Sequence, residues 1–107
     1  MEIAFSSKKL ERTLTDRRLM DKAYNTLAKR IRLRLSVLRA AETLDDVPHT
    51  PPDRCHPLKG KKWAGCFAVD LSGNWRLVFR PSVTSPVDDI EASEVTAITI
   101  VAIVDYH

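Results

Sequence analysis

The sequence predicts an α+β domain in which N-terminal helices pack on one face of a small antiparallel β-sheet. Apolar positions in the first 45 residues recur at spacings of three and four, as in amphipathic helices. From Trp63 onward the period becomes two, which is typical of strands. The segment 45–57 carries four prolines and separates the two parts. The length of 107 residues fits a single domain spanning 1–107.

Two helices are predicted in the first part. Phe5, Leu10 and Leu14 suggest a short first helix, with Ser6 or Ser7 available as its N-cap. The segment 22–44 contains no Pro or Gly and predicts one long helix. One apolar stripe comprises Tyr24, Leu27, Ile31, Leu35 and Leu38, and a weaker one on the other side comprises Leu33, Val37, Ala40 and Leu44. We therefore expect this helix to pack on two sides.

The second part predicts a hairpin and a final strand. Alternation from Trp63 runs to a tight turn at Ser72-Gly73, and the next strand brings Arg76 and Arg80 to its polar face. The segment 81–94 is rich in Pro, Asp and Glu and is predicted to be an acidic, mobile loop. The nearly continuous apolar run 95–104 predicts a strand that is central in the sheet and buried on both faces.

Composition excludes several classes of protein. No apolar run approaches the roughly 20 residues that span a bilayer. The start, Met1–Phe5, lacks a basic segment followed by an apolar one, so we expect a cytoplasmic protein without a secretory signal. Cys55 and Cys66 are too few for a disulfide framework or a zinc site, and His49 and His56 fit metal spacing poorly. We expect two reduced cysteines, no metal and no cofactor.

Charge is distributed unevenly along the chain. Residues 1–40 carry eleven Lys or Arg and four Asp or Glu, whereas residues 41–107 carry six and ten. A basic first part suits a polyanion or an acidic protein partner, and it suits a solvated helix surface equally well.

Three clusters contain residues suited to chemistry: Cys55–Lys62, Asn74–Arg80 and the final Asp105–His107. Each is weak by itself, because a basic turn, an arginine on the polar face of a strand and a terminal histidine are usually surface features. In this order, however, they form a more specific pattern. It stands as His56-Pro57-Leu58-Lys59-Gly60, Gly65-Cys66-Phe67, Asn74-Trp75-Arg76-Leu77-Val78-Phe79 and Asp105-Tyr106-His107.

This pattern resembles the HigB group of the RelE/ParE toxin superfamily. The resemblance covers residues 56–107, and the helical first half agrees only in its layout. It implies a RelE-like fold and the toxin component of a type II toxin–antitoxin system. Such toxins cleave mRNA on the ribosome without a metal, inhibit translation, and are neutralised by a cognate helix-turn-helix antitoxin of the HigA kind.

The resemblance also implies site residues. The catalytic set comprises Lys59, Arg76, Asp105, Tyr106 and His107, with His56 as a second imidazole near Lys59. RNA or ribosome contacts are expected from Lys61, Lys62, Arg80, Arg30 and Arg34. Metal-free cleavage uses the ribose 2′-OH as nucleophile, so the enzyme supplies a base, an acid and cations that stabilise the charged phosphorus intermediate.

Several roles stay open for these residues. His107 can donate or accept a proton near neutrality. Arg76 offers a planar fork for phosphate oxygens, while Lys59 stabilises charge or acts as the base if neighbouring cations lower its pKa. Asp105 orients His107 or Arg76, or accepts a proton. Tyr106 stacks on a base or hydrogen-bonds a phosphate.

The sequence departs from the group in three places, and two other functions remain open. Phe67 stands where the group often has Trp, Lys61-Lys62 replaces a usually acidic position, and the 81–94 loop is long. One alternative is a non-catalytic superfamily member that binds another target such as DNA gyrase, although the terminal Asp105-Tyr106-His107 supplies acid–base groups that a pure binder does not need. The other is an RNA-binding protein whose basic first half binds the RNA.

Overall fold

The computed structural model describes residues 1–82 and 91–105, and these form the predicted α+β fold. The helices are α1 (Lys8–Thr15), α2 (Arg17–Tyr24) and α3 (Ala28–Ala40). The strands are β1 (Glu2–Phe5), β2 (His56–Pro57), β3 (Phe67–Ser72), β4 (Trp75–Pro81) and β5 (Ala97–Asp105). They form one sheet in the order β1-β5-β4-β3-β2.

The first residues form a strand that was not predicted, and this strand makes an otherwise antiparallel sheet mixed. β1 pairs in parallel with β5, with Glu2 opposite Ala97 and Phe5 opposite Ile100. The nitrogen of Met1 also donates to the carbonyl of Arg39 at 3.0 Å, which joins this strand to the end of α3. A four-residue segment shows no decisive period of its own, and the edge of β5 supplies its backbone partners from across the chain.

The N-terminal half contains three helices where two were predicted. Ser7 caps α1 as expected, because its Oγ accepts a hydrogen bond from the Leu10 N–H at 3.1 Å. The single helix predicted over 22–44 is wrong. α2 ends at Tyr24, where Asn25 takes a positive φ of 47°, and a short 3₁₀ turn leads into α3. Asparagine adopts a positive φ more readily than most residues with a side chain, which allows the break.

The main core lies between the helices and one face of the sheet. It confirms the principal stripe of α3, whose Ile31, Leu35 and Leu38 are buried together with strand residues such as Phe79. The second stripe is not packed throughout, since Leu33 is 50% exposed. The part of the second stripe at Leu33 therefore faces solvent.

The hairpin of β3 and β4 is confirmed, with Gly73 (φ 56°) in its turn. A smaller apolar cluster covers part of the sheet face opposite the helices: Leu58, Cys66, Ala68 and Val78, packed with Trp63, Val101 and Val104. Trp63 precedes β3 and packs from a turn. β5 contributes apolar side chains to both clusters, but only Ile98 and Ile100, in the main core, are fully buried, so the predicted burial on both faces is partial. The central strand of the sheet is β4.

Two further expectations concern the acidic loop and membrane-spanning segments. Most of the predicted acidic loop, at 83–90, lies outside the described residues, and Ala92–Glu94 near its end forms a 3₁₀ turn. In the described part of the chain, no helix has both the length and the apolarity to cross a bilayer.

Candidate functional site

The register of the sheet brings residues of two sequence motifs to one face. Asp70 on β3 lies opposite Arg76 on β4, and His56 on β2 lies opposite Ala68, two positions before Asp70. Residues opposite each other in a sheet share a face, and so do alternate residues of a strand. His56, Asp70 and Arg76 therefore share the face opposite the helices, which we call the open face.

Asp70 is the centre of the charged residues on the open face. Its carboxylate receives two hydrogen bonds from Arg54, from Nε at 2.6 Å and from Nη2 at 3.0 Å. The same carboxylate lies 3.0 Å from Nε of Arg76. The Arg76 contact is an ion pair whose angle is not that of a hydrogen bond. One carboxylate thus holds two guanidinium groups together.

Arg76 is fixed by the backbone as well. Its Nη1 donates to the carbonyl oxygen of Gly73 at 2.7 Å and to that of Trp75 at 3.0 Å. Only 12% of the side chain is exposed. The guanidinium is thereby held in one orientation by the Asp70 carboxylate and two backbone carbonyls.

The carboxylate paired with Arg76 is Asp70, whereas the sequence suggested Asp105 for that role. Asp105 on β5 lies opposite Trp75, and Arg76 lies opposite Val104. Side chains of successive strand residues point to opposite faces, so the pleat directs Asp105 to the face that Trp75 shares. Of the other two expected roles of Asp105, orienting His107 involves a residue that, like Tyr106, lies outside the described residues, and accepting a proton stays a prediction.

Arg34 is a correction to the set of expected RNA contacts. It is 5% exposed, and its Nε donates to the backbone carbonyl of Asp70 at 2.6 Å and lies 3.6 Å from Oδ1 of Asp53. Asp53 is itself buried, and its carbonyl accepts a hydrogen bond from the Asp70 N–H at 2.8 Å. A buried, paired guanidinium cannot reach a phosphate on another molecule. Arg34 instead holds the backbone of Asp70 from the interior of the protein.

The orientation of His56 follows from one hydrogen bond. Its Nδ1 lies 2.6 Å from the carbonyl oxygen of Arg54. A carbonyl only accepts, so Nδ1 carries the proton and donates it. In the neutral imidazole the second nitrogen, Nε2, is then the acceptor and has the lone pair that a general base requires. Arg54 has the left-handed φ of 44°, a conformation rare for a residue with a side chain.

The loop after β2 carries the exposed lysines. Lys59, Lys61 and Lys62 are all exposed, and Gly60 between them has φ 94°, which glycine adopts without strain. The Leu58 N–H donates to the Cys66 carbonyl at 2.9 Å and anchors the start of this loop. Lys59 directly follows the anchored Leu58 and lies three residues after His56 in the sequence. Its backbone therefore starts at the edge of the sheet.

Lys62 and Arg80 also have identified neighbours. Nζ of Lys62 lies 5.1 Å from the centre of the Trp63 ring, a cation–π contact. Arg80 is exposed and shares the open face with Arg76. Burial raises the pKa of the Cys66 thiol, and the charge of Arg80 opposes that increase, so Arg80 lies near the small apolar cluster.

Arg30 is separated from the other candidates. It is exposed on α3, in the helical layer against the opposite face of the sheet. There it lines a cleft of about 330 Å³ together with Lys29 and Leu33. Arg30 could contact RNA or a partner only as part of a second surface, independent of the open face.

Sequence reasoning missed Asp53, Arg54 and Asp70. Asp70 had a usable signal, because pairing the two strands around the Ser72-Gly73 turn brings it level with Arg76. Asp53 and Arg54 had none, since they lie in a loop whose path depends on the finished sheet. Burial, followed by the charge of Asp53, raises the pKa of the neighbouring Cys55 thiol to about 11, so this thiol is a packed, protonated side chain.

The described residues of the open face supply a proton acceptor and fixed positive charge. Within residues 1–82 and 91–105, no three His, Cys, Asp or Glu side chains cluster in a way that could hold a metal ion. No protein-family model matches the chain. A search of curated proteins likewise gives no significant match.

Proposed function

We propose that this chain is the toxin of a type II toxin–antitoxin pair, a cytoplasmic, ribosome-dependent mRNA endonuclease of the HigB group. The observation that carries the proposal is the connection between two motifs distant in sequence. Arg76, from the Asn-Trp-Arg motif, and His56, from the His-Pro-Leu-Lys-Gly motif, share the open face and are linked through Asp70 and Arg54. A cation and an imidazole so arranged suit attack at a phosphodiester.

In the proposed reaction the nucleophile belongs to the RNA. Nε2 of His56 removes the proton of a ribose 2′-OH, and O2′ forms a bond to the adjacent phosphorus. The P–O5′ bond breaks, and O5′ leaves with a proton from an acid, the role that the resemblance suggests for His107. The products are a 2′,3′-cyclic phosphate and a 5′-hydroxyl end. Since DNA lacks the 2′-OH, the reaction is specific for RNA.

Positive charge at the open face offsets the negative charge that builds up on the phosphate oxygens. Arg76 is oriented in advance, so it loses little freedom on binding phosphate. Lys59 adds a point charge from the adjoining loop. Exposed Lys61, Lys62 and Arg80 suit contacts to the backbone of mRNA or ribosomal RNA. By the resemblance, Tyr106 also belongs to the site, whereas the pleat of β5 places Asp105 on the face opposite to Arg76.

The proposal includes partners. The resemblance implies a helix-turn-helix antitoxin encoded with the toxin, and it implies that the ribosome presents the mRNA. The basic, exposed helical layer around Arg30 suits an acidic antitoxin segment or ribosomal RNA.

The decisive experiment expresses the chain from a tightly controlled promoter and maps mRNA 5′ ends by primer extension. We expect growth arrest with new 5′ ends inside coding regions. Arg76→Ala should restore growth, whereas Arg12→Ala on the exposed surface of α1 serves as the matched control and should not. If the wild-type chain accumulates without affecting growth or translation, the proposal is wrong. Growth arrest without new 5′ ends would instead favour a binder of another target, such as DNA gyrase.

A further inference from the structure

We propose that Asp70 is a positioning residue of this site: its carboxylate fixes Arg76 directly and fixes the proton on the His56 ring through Arg54. This inference rests on the proposed function, which supplies the reaction. The resemblance assigns no role to Asp70 or Arg54, and both follow from contacts within the open face.

The direct branch runs from Asp70 to Arg76. The Asp70 carboxylate lies 3.0 Å from Nε, while backbone carbonyls hold Nη1 from the other side. An arginine side chain has several rotatable bonds and many accessible rotamers. Contacts at two of its three nitrogens restrict it to one orientation, and removal of the carboxylate would leave only the carbonyl contacts.

The indirect branch runs through the backbone of Arg54. Its two hydrogen bonds to Asp70 hold a residue whose left-handed φ of 44° is intrinsically unfavourable for a side chain of this kind. The Arg54 carbonyl then accepts the Nδ1–H of His56 at 2.6 Å. The position of that carbonyl decides which ring nitrogen carries the proton, and hence which nitrogen can act as a base.

Asp70 is suited to this role because its own backbone is fixed on both sides. Its N–H donates to the Asp53 carbonyl at 2.8 Å, and its carbonyl accepts from Nε of buried Arg34 at 2.6 Å. The carboxylate therefore projects from an anchored segment of β3. Arg34, on α3, thus connects the helical layer to the open face without being exposed.

The experiment compares Asp70→Asn, Arg54→Ala and a matched control, Asp21→Asn. Asp21 makes an exposed ion pair with Arg32 at 2.8 Å, so the control also removes the charge of a carboxylate paired with arginine, but away from the open face. Two signals are followed by ¹⁵N NMR on the intact chain. One is the tautomer of the neutral His56 ring, and the other is solvent exchange of the Arg76 Nε–H.

Each variant has a distinct expected outcome. Asp70→Asn should reduce the Nδ1–H form of His56 and speed exchange at Arg76, because both branches lose their anchor. Arg54→Ala should change the His56 signal and leave the Arg76 signal unchanged. Asp21→Asn should change neither. If Asp70→Asn leaves both signals as in the wild type, the inference is wrong. Should Asp70→Asn fail to fold, Arg54→Ala, whose side chain is 41% exposed, decides alone: an unchanged His56 tautomer overturns the inference.

Cleavage of ribosome-bound mRNA gives the second readout. We expect kcat to fall about 10- to 100-fold in Asp70→Asn while KM changes little, because misplaced catalytic groups slow the chemistry more than they weaken binding. An unchanged kcat would show that Asp70 does not position catalytic groups. If the NMR signals respond but the wild-type chain cleaves nothing, the proposed function fails, while the ordering of Arg76 and His56 by Asp70 stands as a structural result.

Discussion

The two faces of the sheet arise from the same alternation of strand residues, but they carry different kinds of side chain. Against the helices, side chains such as Phe79 and Ile100 are fully buried and purely apolar. On the open face, Val78 and Ala68 form a small apolar cluster that adjoins Asp70 and Arg76. Stability is therefore concentrated on the first face, and groups capable of chemistry on the second. The comparison can be tested by changes that weaken one face and spare the other.

The largest effect on stability is expected in the main core. Phe79→Ala should lower the free energy of unfolding by about 3 to 5 kcal/mol, because a large cavity opens among packed side chains. Val78→Ala, equally buried on the open face, removes two methyl groups and should cost roughly 1 to 2 kcal/mol. Urea denaturation measures both. Equal losses would contradict the concentration of stability on the helical side.

A comparable loss is expected where the two layers meet. Arg34→Ala leaves the buried Asp53 carboxylate and the Asp70 carbonyl without their partner, so stability should fall by about 3 kcal/mol. The double variant Arg34→Met with Asp53→Leu removes both charges and should recover part of the loss in a thermal denaturation series. If the single and double variants are equally destabilised, an unpaired buried charge is not the cause.

A smaller, pH-dependent effect is expected from Cys55. Its folded pKa of about 11 lies above the ordinary value of 9.0, so the unfolded chain loses the thiol proton first as pH rises. The contribution is complete below pH 9 and should be lost between pH 9 and about 11, to a total of roughly 2 to 3 kcal/mol.

Cys55→Ala separates this contribution from lysine titration over the same range. The unfolding free energy of the variant should fall less steeply than that of the wild type between pH 9 and 11. Parallel curves would mean that the thiol does not contribute.

The smallest effect is expected at the surface. Asp21→Asn breaks the ion pair with Arg32, whose two side chains are 53% and 33% exposed. Water and salt screen such a pair, so the expected loss is below about 1 kcal/mol. Chemical denaturation at low and high salt checks this value. If Asp21→Asn lowered stability as much as Arg34→Ala, solvent exposure would not explain the difference between the Asp21–Arg32 and Arg34–Asp53 ion pairs.

Local patterns in the sequence predicted much of the fold. The Ser7 cap, the apolar stripe of α3 and the hairpin were predicted from spacing alone, and so was the shared face of Arg76 and Arg80. Each depends on residues within a few positions of one another, where backbone geometry dictates which side chains meet. The break at Asn25 was missed because helical periodicity continues through it.

Contacts between distant residues required the folded chain. The pairing of β1 with β5, the burial of Arg34 and the two arginines on Asp70 all join segments far apart in sequence. No periodicity encodes such contacts, since they arise only when helices and loops close over the sheet. The sequence by itself determined the α+β class and the motifs that resemble a toxin. The tertiary structure alone decided which arginine is buried, which carboxylate holds Arg76, and which nitrogen of His56 is left to accept a proton.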